Sequence, residues 1–152
     1  MIERTNTVTQ TVTGLAASGT ATLQFYFPRK VRLKGFWAVS SVAQAAHGSQ
    51  VLSVTLTDRG TNGTGTTDIA VITNNSGQAN QASGPARLSG AWAAYVGRVV
   101  DFEDRPRTNP NVPVYSEAIE VPAGNTFTVT IAKAAGTATG DVAVGIDYVE
   151  SD

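Results

Sequence analysis

The side chains that could do chemistry are few and scattered. Histidine occurs once, as His47 in AQAAHGS (43–49), a connector of small residues. A catalytic base needs a positioned partner, and none stands near it in sequence, so His47 reads as an exposed loop residue. Asp101, Glu103 and Asp104 in DFEDRPR (101–107) alternate with Arg105 and Arg107, the pattern of a solvated, self-paired loop. The calcium-loop spacing of acidic residues is absent. Glu117 and Glu120 are an odd number of residues apart and would face opposite sides of a strand. Asp58 and Asp68 flank 59–67 and could approach each other across a hairpin, although charge at strand ends explains them as well. The segment RGTNGTGTTD (59–68) is rich in glycine. It lacks the Gly-Lys-Ser/Thr ending and following helix of a phosphate cradle, and reads as a hairpin tip.

Two further groups carry recognition chemistry. Trp37, Trp92, Tyr26, Tyr95, Tyr115 and Tyr148 could stack on sugar rings, the alternative being burial in the core. Trp92 fits either role. Four of the eleven cations, Arg29, Lys30, Arg32 and Lys34, lie in PRKVRLKGFW (28–37). With strand parity, Lys30, Arg32 and Lys34 share one face, while Val31, Leu33, Trp37 and Val39 share the inward one. The cations then meet either solvent or an acidic protein surface, where they would steer and register a partner. Together with Arg105 and Arg107 they are the candidate partner-binding residues.

These residues have to be positioned by strands, because the hydrophobic period is two along most of the chain. Segment 20–27 alternates Ala21, Leu23, Phe25 and Phe27 against Thr20, Thr22, Gln24 and Tyr26. Segments 29–40, 51–58, 68–73, 116–121, 126–133 and 142–150 read as further strands, with 51–73 a hairpin. The stretch 5–13 is an edge strand or an N-terminal arm within 1–14. LSGAWAAYVGRVVDFED (88–104) fits a helical stripe or a strand. Its glycines and valine pair favour a strand over about 95–102, with a helical turn before it. NNSGQANQASGPARLSG (74–90) has no period and reads as a long surface loop.

The expected fold is all-β: one antiparallel sandwich domain spanning 1–152, jelly-roll-like, with about eight strands. Composition agrees, with twenty threonines and fifteen glycines for strands and turns and a charged fraction of only 15 %. A net charge of −1 and zero cysteines exclude a general pull toward nucleic acid and any thiolate metal site. No run is long and apolar enough for a membrane span. The start MIERTNTVTQ has no apolar leader core, so folding in a cytoplasm is expected, with no cofactor, no nucleic acid and no membrane partner.

The Thr-rich 5–13, the 74–90 loop and the ending VPAGNTFTVTIAKAAGTATGDVAVGIDYVE (121–150) give the chain a resemblance. It is similar to the jelly-roll head decoration, or cement, proteins of tailed bacteriophages. The resemblance implies a structural virion protein, not an enzyme, that binds the major capsid protein and stabilises the shell from outside. It also implies a homo-oligomer, with a trimer favoured because it would bury sticky edge strands. A carbohydrate-binding jelly roll or a phage tail adhesin domain is the alternative, which an exposed Trp92 beside Tyr95 in a groove would favour.

Overall fold

The computed structural model describes residues 4–76, 85–102 and 119–151. They form ten strands and, among the described residues, no helix: β1 (Asn6–Leu15), β2 (Thr20–Phe27), β3 (Val31–Ser40), β4 (Leu52–Gly60), β5 (Thr67–Thr73), β6 (Ala86–Ser89), β7 (Arg98–Asp101), β8 (Ile119–Val121), β9 (Asn125–Lys133) and β10 (Gly140–Glu150). Two sheets stack face to face. Sheet I has the order β1-β10-β3-β7, with β8 also on β3, and sheet II the order β2-β9-β4-β5-β6.

The pairings are nested: β1 with β10, β2 with β9, β3 with β8 and β7, and β4 with β5. The chain is thus one long antiparallel ribbon whose tip is the β4–β5 connection, folded so that alternate pairs fall in opposite sheets. That nesting is a jelly roll. β6 is an addition, lying parallel to β5. Strands β9 and β10 follow each other in sequence, yet they belong to different sheets and do not pair.

Alternation explains the core. Phe25, Phe27, Leu52, Val54, Leu56, Phe127, Val129 and Ile131 from sheet II meet Val31, Leu33, Phe36, Val142, Val144 and Ile146 from sheet I, all buried. Burying each such side chain contributes about 1.5–3 kcal/mol. Phe27 links the layers, with edge-on contacts to Phe127 at 5.8 Å and Tyr148 at 5.1 Å.

Several expectations need correction. Within 74–90, Ala86–Ser89 is strand β6, and Asn74 is fully buried. The Asn74 carboxamide accepts from Leu52 N–H and donates to the carbonyls of Ala45 and Gln50. Residues 77–84 lie outside the described residues. The strand expected over 95–102 is confined to Arg98–Asp101, after a turn at Ala93–Val96. Of the two readings of the N-terminal segment, edge strand or arm, the edge strand holds, as β1. Most consequential, Trp37 and Val39 do not face the core. Gly35 pairs with Asp147 but Leu33 pairs with Tyr148, so Lys34 is one extra residue in β3. A β-bulge of this kind reverses the parity beyond it. Val31 and Leu33 point inward before the bulge and Phe36 and Ala38 after it, which turns Trp37 outward.

The rotated indole has a seat. It lies across Gly145, its register partner on β10. A Cβ at position 145 would stand 2.2 Å from Trp37 Cε2 and Cζ2, so only glycine leaves room for the ring. At the sandwich end, Lys133 continues the inward parity of β9 and is 3 % exposed. Its ammonium donates to the carbonyls of Leu15 (2.9 Å), Ala138 (2.9 Å) and Gly140 (3.5 Å), tying β1 to the β9–β10 connection. Burial lowers its pKa from the ordinary value, partly opposed by Asp141.

Gly145→Ala should lose about 1–3 kcal/mol of stability in urea unfolding, and far less in a Trp37→Ala background; equal losses would contradict the stacked geometry. Lys133→Met strands three carbonyls and should cost about 2 kcal/mol at neutral pH. Because the folded-state pKa is lowered, the unfolded chain holds more protons just below the ordinary lysine value. Wild-type stability should therefore gain a rising component as pH climbs through that alkaline window, and Lys133→Met should lack that component.

Candidate docking surface

The outward turn of Trp37 builds the most distinctive surface of the molecule. On the outer face of sheet I, Thr9, Gly145, Trp37 and Val99 lie in one cross-strand row, and Thr11, Ala143 and Val39 in the next. Val99 is 55 % exposed, and the neighbouring Tyr95 and Val96 are 77 % and 54 % exposed. Gly97 lies on Val39, whose Cγ2 is 3.7 Å from where a Gly97 Cβ would be. Half-buried Trp37 and Val39 thus share an outer face with exposed Val99, and the segment before β7 adds exposed Tyr95 and Val96 beside them, an apolar patch of the kind that marks interaction sites.

The segment carrying Tyr95 is held firmly. Trp92 and Gln44 exchange two backbone hydrogen bonds (2.8 and 2.9 Å), and Tyr95 N–H donates to the Ser40 carbonyl at 2.8 Å. The Arg98 guanidinium lies 5.2 Å from the centre of the Trp92 ring and donates to the carbonyls of Thr73 and Gly90, both at 3.0 Å. Its burial lowers the guanidinium pKa from the ordinary value. Tyr95 has φ +60°, a left-handed conformation that costs a non-glycine residue about 1–2 kcal/mol. A well-anchored loop therefore presents a large aromatic side chain to solvent from a strained backbone. Trp92 itself is 1 % exposed, so it belongs to the core and offers no sugar platform beside Tyr95.

The expected cations lie at the opposite end of the same face. Arg29 is exposed and forms an ion pair of 3.5 Å with Glu150. The Lys30 carbonyl accepts from Ser151 N–H, and Lys34, at the bulge, has its carbonyl bonded by Phe102 N–H. Arg32 is in register with Glu120 on β8. In the row that follows the bulge, Asp147 and Asp101 flank Gly35, and Asp147 accepts from the Thr7 hydroxyl at 2.6 Å. The stripe is thus interleaved with carboxylates and forms a mixed-charge rim. Arg105 and Arg107 lie outside the described residues, as do Glu103, Asp104, Tyr115 and Glu117.

The remaining reactive groups serve the fold. His47 is exposed, and its Nδ1 accepts from the backbone N–H groups of Ser49 (3.0 Å) and Gln50 (2.9 Å). Asp58 accepts from Gly60 N–H and Asn125 Nδ2, whereas Asp68 accepts from the Thr57 hydroxyl, so the two carboxylates are used separately. Among the described residues no group of three or more His, Cys, Asp or Glu could hold a metal ion. Unbroken strand parity hides this patch, because it carries the central residue, Trp37, inward. Gly35, a glycine inside a strand pattern, is the signal for a bulge that would have corrected the parity.

No protein-family model matches the chain, and no curated protein does. Among solved structures, the mitogen of Yersinia pseudotuberculosis is similar over 99 % of this chain and 89 % of its own, with 12 % identity and a TM-score of 0.39. The STIV MCP is similar over 94 % of this chain and 48 % of its own (14 % identity, TM-score 0.36). An infectious bursal disease virus structure (Gx strain) is similar over 98 % and 36 % (12 % identity, TM-score 0.32). Likenesses of this degree carry no argument about activity or partners.

Proposed function

We propose that this chain is a non-enzymatic structural protein of a virion that binds the outer surface of an assembled capsid, with the major capsid protein as its partner. The observation that carries the reading is the solvent-facing cluster of Trp37, Val39, Tyr95, Val96 and Val99, with Tyr95 held outward in a strained conformation. Aromatic anchors surrounded by a polar rim are the anatomy of a protein interface. The jelly-roll frame and the resemblance to phage head decoration proteins supply the partner class. The Arg29–Lys34 stripe then serves as rim, adding register and salt sensitivity more than affinity. Several copies around a symmetry axis of the shell, a trimer in the favoured arrangement, would multiply a modest contact by avidity. The carbohydrate-binding alternative has lost the Trp92–Tyr95 platform, since that indole is buried.

Co-sedimentation with purified expanded phage heads tests the reading. Tyr95→Asp with Val99→Asp should weaken binding at least tenfold, about 1.4 kcal/mol. Changing Lys30, Arg32 and Lys34 to Glu should alter chiefly the salt dependence. Absence of binding to every head preparation, or binding indifferent to Tyr95→Asp and Val99→Asp, would overturn it. If light scattering instead shows an oligomer lost with Val99→Asp while head binding persists, the cluster joins copies of the chain. A companion variant, Tyr95→Gly, should keep or raise stability by up to about 1 kcal/mol while losing head binding.

A further inference from the structure

The outer face of sheet II carries different chemistry from that of sheet I. Across β2, β9 and β4 its rows are almost wholly hydroxylic: Thr22, Thr130 and Thr55 in one, and Gln24, Thr128 and Thr57 in the next. A groove of about 330 Å³ opens there, lined by Thr55, Thr57, Arg59, Thr66, Asp68 and Thr130. No aliphatic or aromatic residue is among them.

The polar groups of this groove are fixed but only partly used. Arg59 Nε donates to the Thr128 hydroxyl at 2.9 Å and Nη1 to the Gly65 carbonyl at 3.1 Å, which locks the guanidinium and leaves Nη2 without a partner among the described residues. Asp68 Oδ1 accepts from the Thr57 hydroxyl at 2.7 Å, and its Oδ2 has no partner among the described residues. Arg59 and Asp68 do not form an ion pair with each other, so a donor and an acceptor of opposite charge stand apart in one groove with threonine hydroxyls about them. Such a site suits few ligand classes. An anion would meet the Asp68 carboxylate, and a cation would meet a guanidinium with a single carboxylate to hold it. An apolar ligand would strand the polar lining. A neutral polyol satisfies both charges, since each hydroxyl donates to one and accepts from the other.

A second observation extends the site. Tyr26 lies on this face of β2 and is 63 % exposed. β2 and β4 are separated by β9 alone, so Tyr26 stands about 10 Å from β4 across the strands. An exposed aromatic ring is a platform for the C–H face of a sugar, and that spacing accommodates more than one ring.

We propose that the outer face of sheet II binds a neutral oligosaccharide, with Arg59 and Asp68 gripping the hydroxyls of one sugar and Tyr26 stacking on another. The site stands independently of shell binding, because it lies on the opposite side of the sandwich from the Trp37 cluster. A capsid-bound copy would present this face outward.

The test is amide chemical-shift mapping of the intact protein titrated with maltotetraose, cellotetraose, mannotetraose and chitotetraose. An open groove of this kind gives dissociation constants of about millimolar, so titration runs to about 20 mM sugar. At least one sugar should shift amides of β2, β4, β5 and β9 on this face. Asp68→Asn and Arg59→Met should each weaken it at least tenfold, and Tyr26→Ala should weaken the tetrasaccharide but not the matching disaccharide. No shift with any of the four sugars, shifts confined to sheet I, or affinity unchanged by Asp68→Asn would overturn the proposal. Should Arg59→Met fail to fold, Asp68→Asn and Tyr26→Ala decide alone. Head co-sedimentation of Asp68→Asn should match wild type, which separates failure of this site from failure of shell binding.

Discussion

One extra residue in one strand governs the character of this molecule. β3 is hydrogen-bonded to β10 on one side and to β7 and β8 on the other, so it must suit three partners along ten residues. The bulge at Lys34 lets its two halves pack with opposite parity. Without it, either Val31 and Leu33 or Phe36 and Ala38 would face water, forfeiting several kcal/mol of burial. With it, all four are inside, and the displaced large side chain is Trp37. The apolar cluster on sheet I is therefore a by-product of the packing solution as well as a surface. Gly145 is the accommodation on the neighbouring strand that makes the solution possible.

The nested ribbon imposes a second constraint. Its innermost pair, β4 with β5, is local and joined by a short glycine-containing tip, where Gly60 and Gly63 take the left-handed conformation and Asn62 accepts from Thr64. Its outermost pair, β1 with β10, brings together residues from opposite ends of the sequence. Closing such a loop costs chain entropy before any contact forms, so assembly from the tip outward is the economical order. Lys133 acts at the far end of that order. Its three carbonyl partners come from β1, the β9–β10 connection and the first residue of β10, so its ammonium finds them only when the outer pairs are in place.

Much of this was legible from residue pattern, and the exceptions share a cause. Period-two alternation gave 20–27, 51–58, 126–133 and 142–150 because one buried face forces it. Buried positions at Ile69, Ala70, Val71 and Ile72 matched the continuous apolar run of β5. Pattern failed where a strand changes parity, as at Lys34, or is too short to show a period, as in Ala86–Ser89. It also could not assign Trp92, whose bridge partner Gln44 is distant in sequence and whose ring lies beside the Arg98 guanidinium. On the candidate surfaces, the cations were visible as a parity set, but their carboxylate neighbours come from β7, β8 and β10 and exist only in the fold. The Arg59–Asp68 groove was visible as a glycine-rich connector and two flanking acids, without the locking bonds that make it polar and open.

The pairing of β1 with β10 also sets how the molecule answers force. Asn6 is registered with Tyr148, and the eight registered pairs run from there to Leu15 and Gly140. Tension applied between the two ends of the ribbon would peel these rungs one after another, as a zip opens, instead of shearing them together. Pressure across the sheets would meet the close-packed phenylalanine and isoleucine layer, which is nearly incompressible. The fold is built to be squeezed, and is weakest when tugged by its own ends.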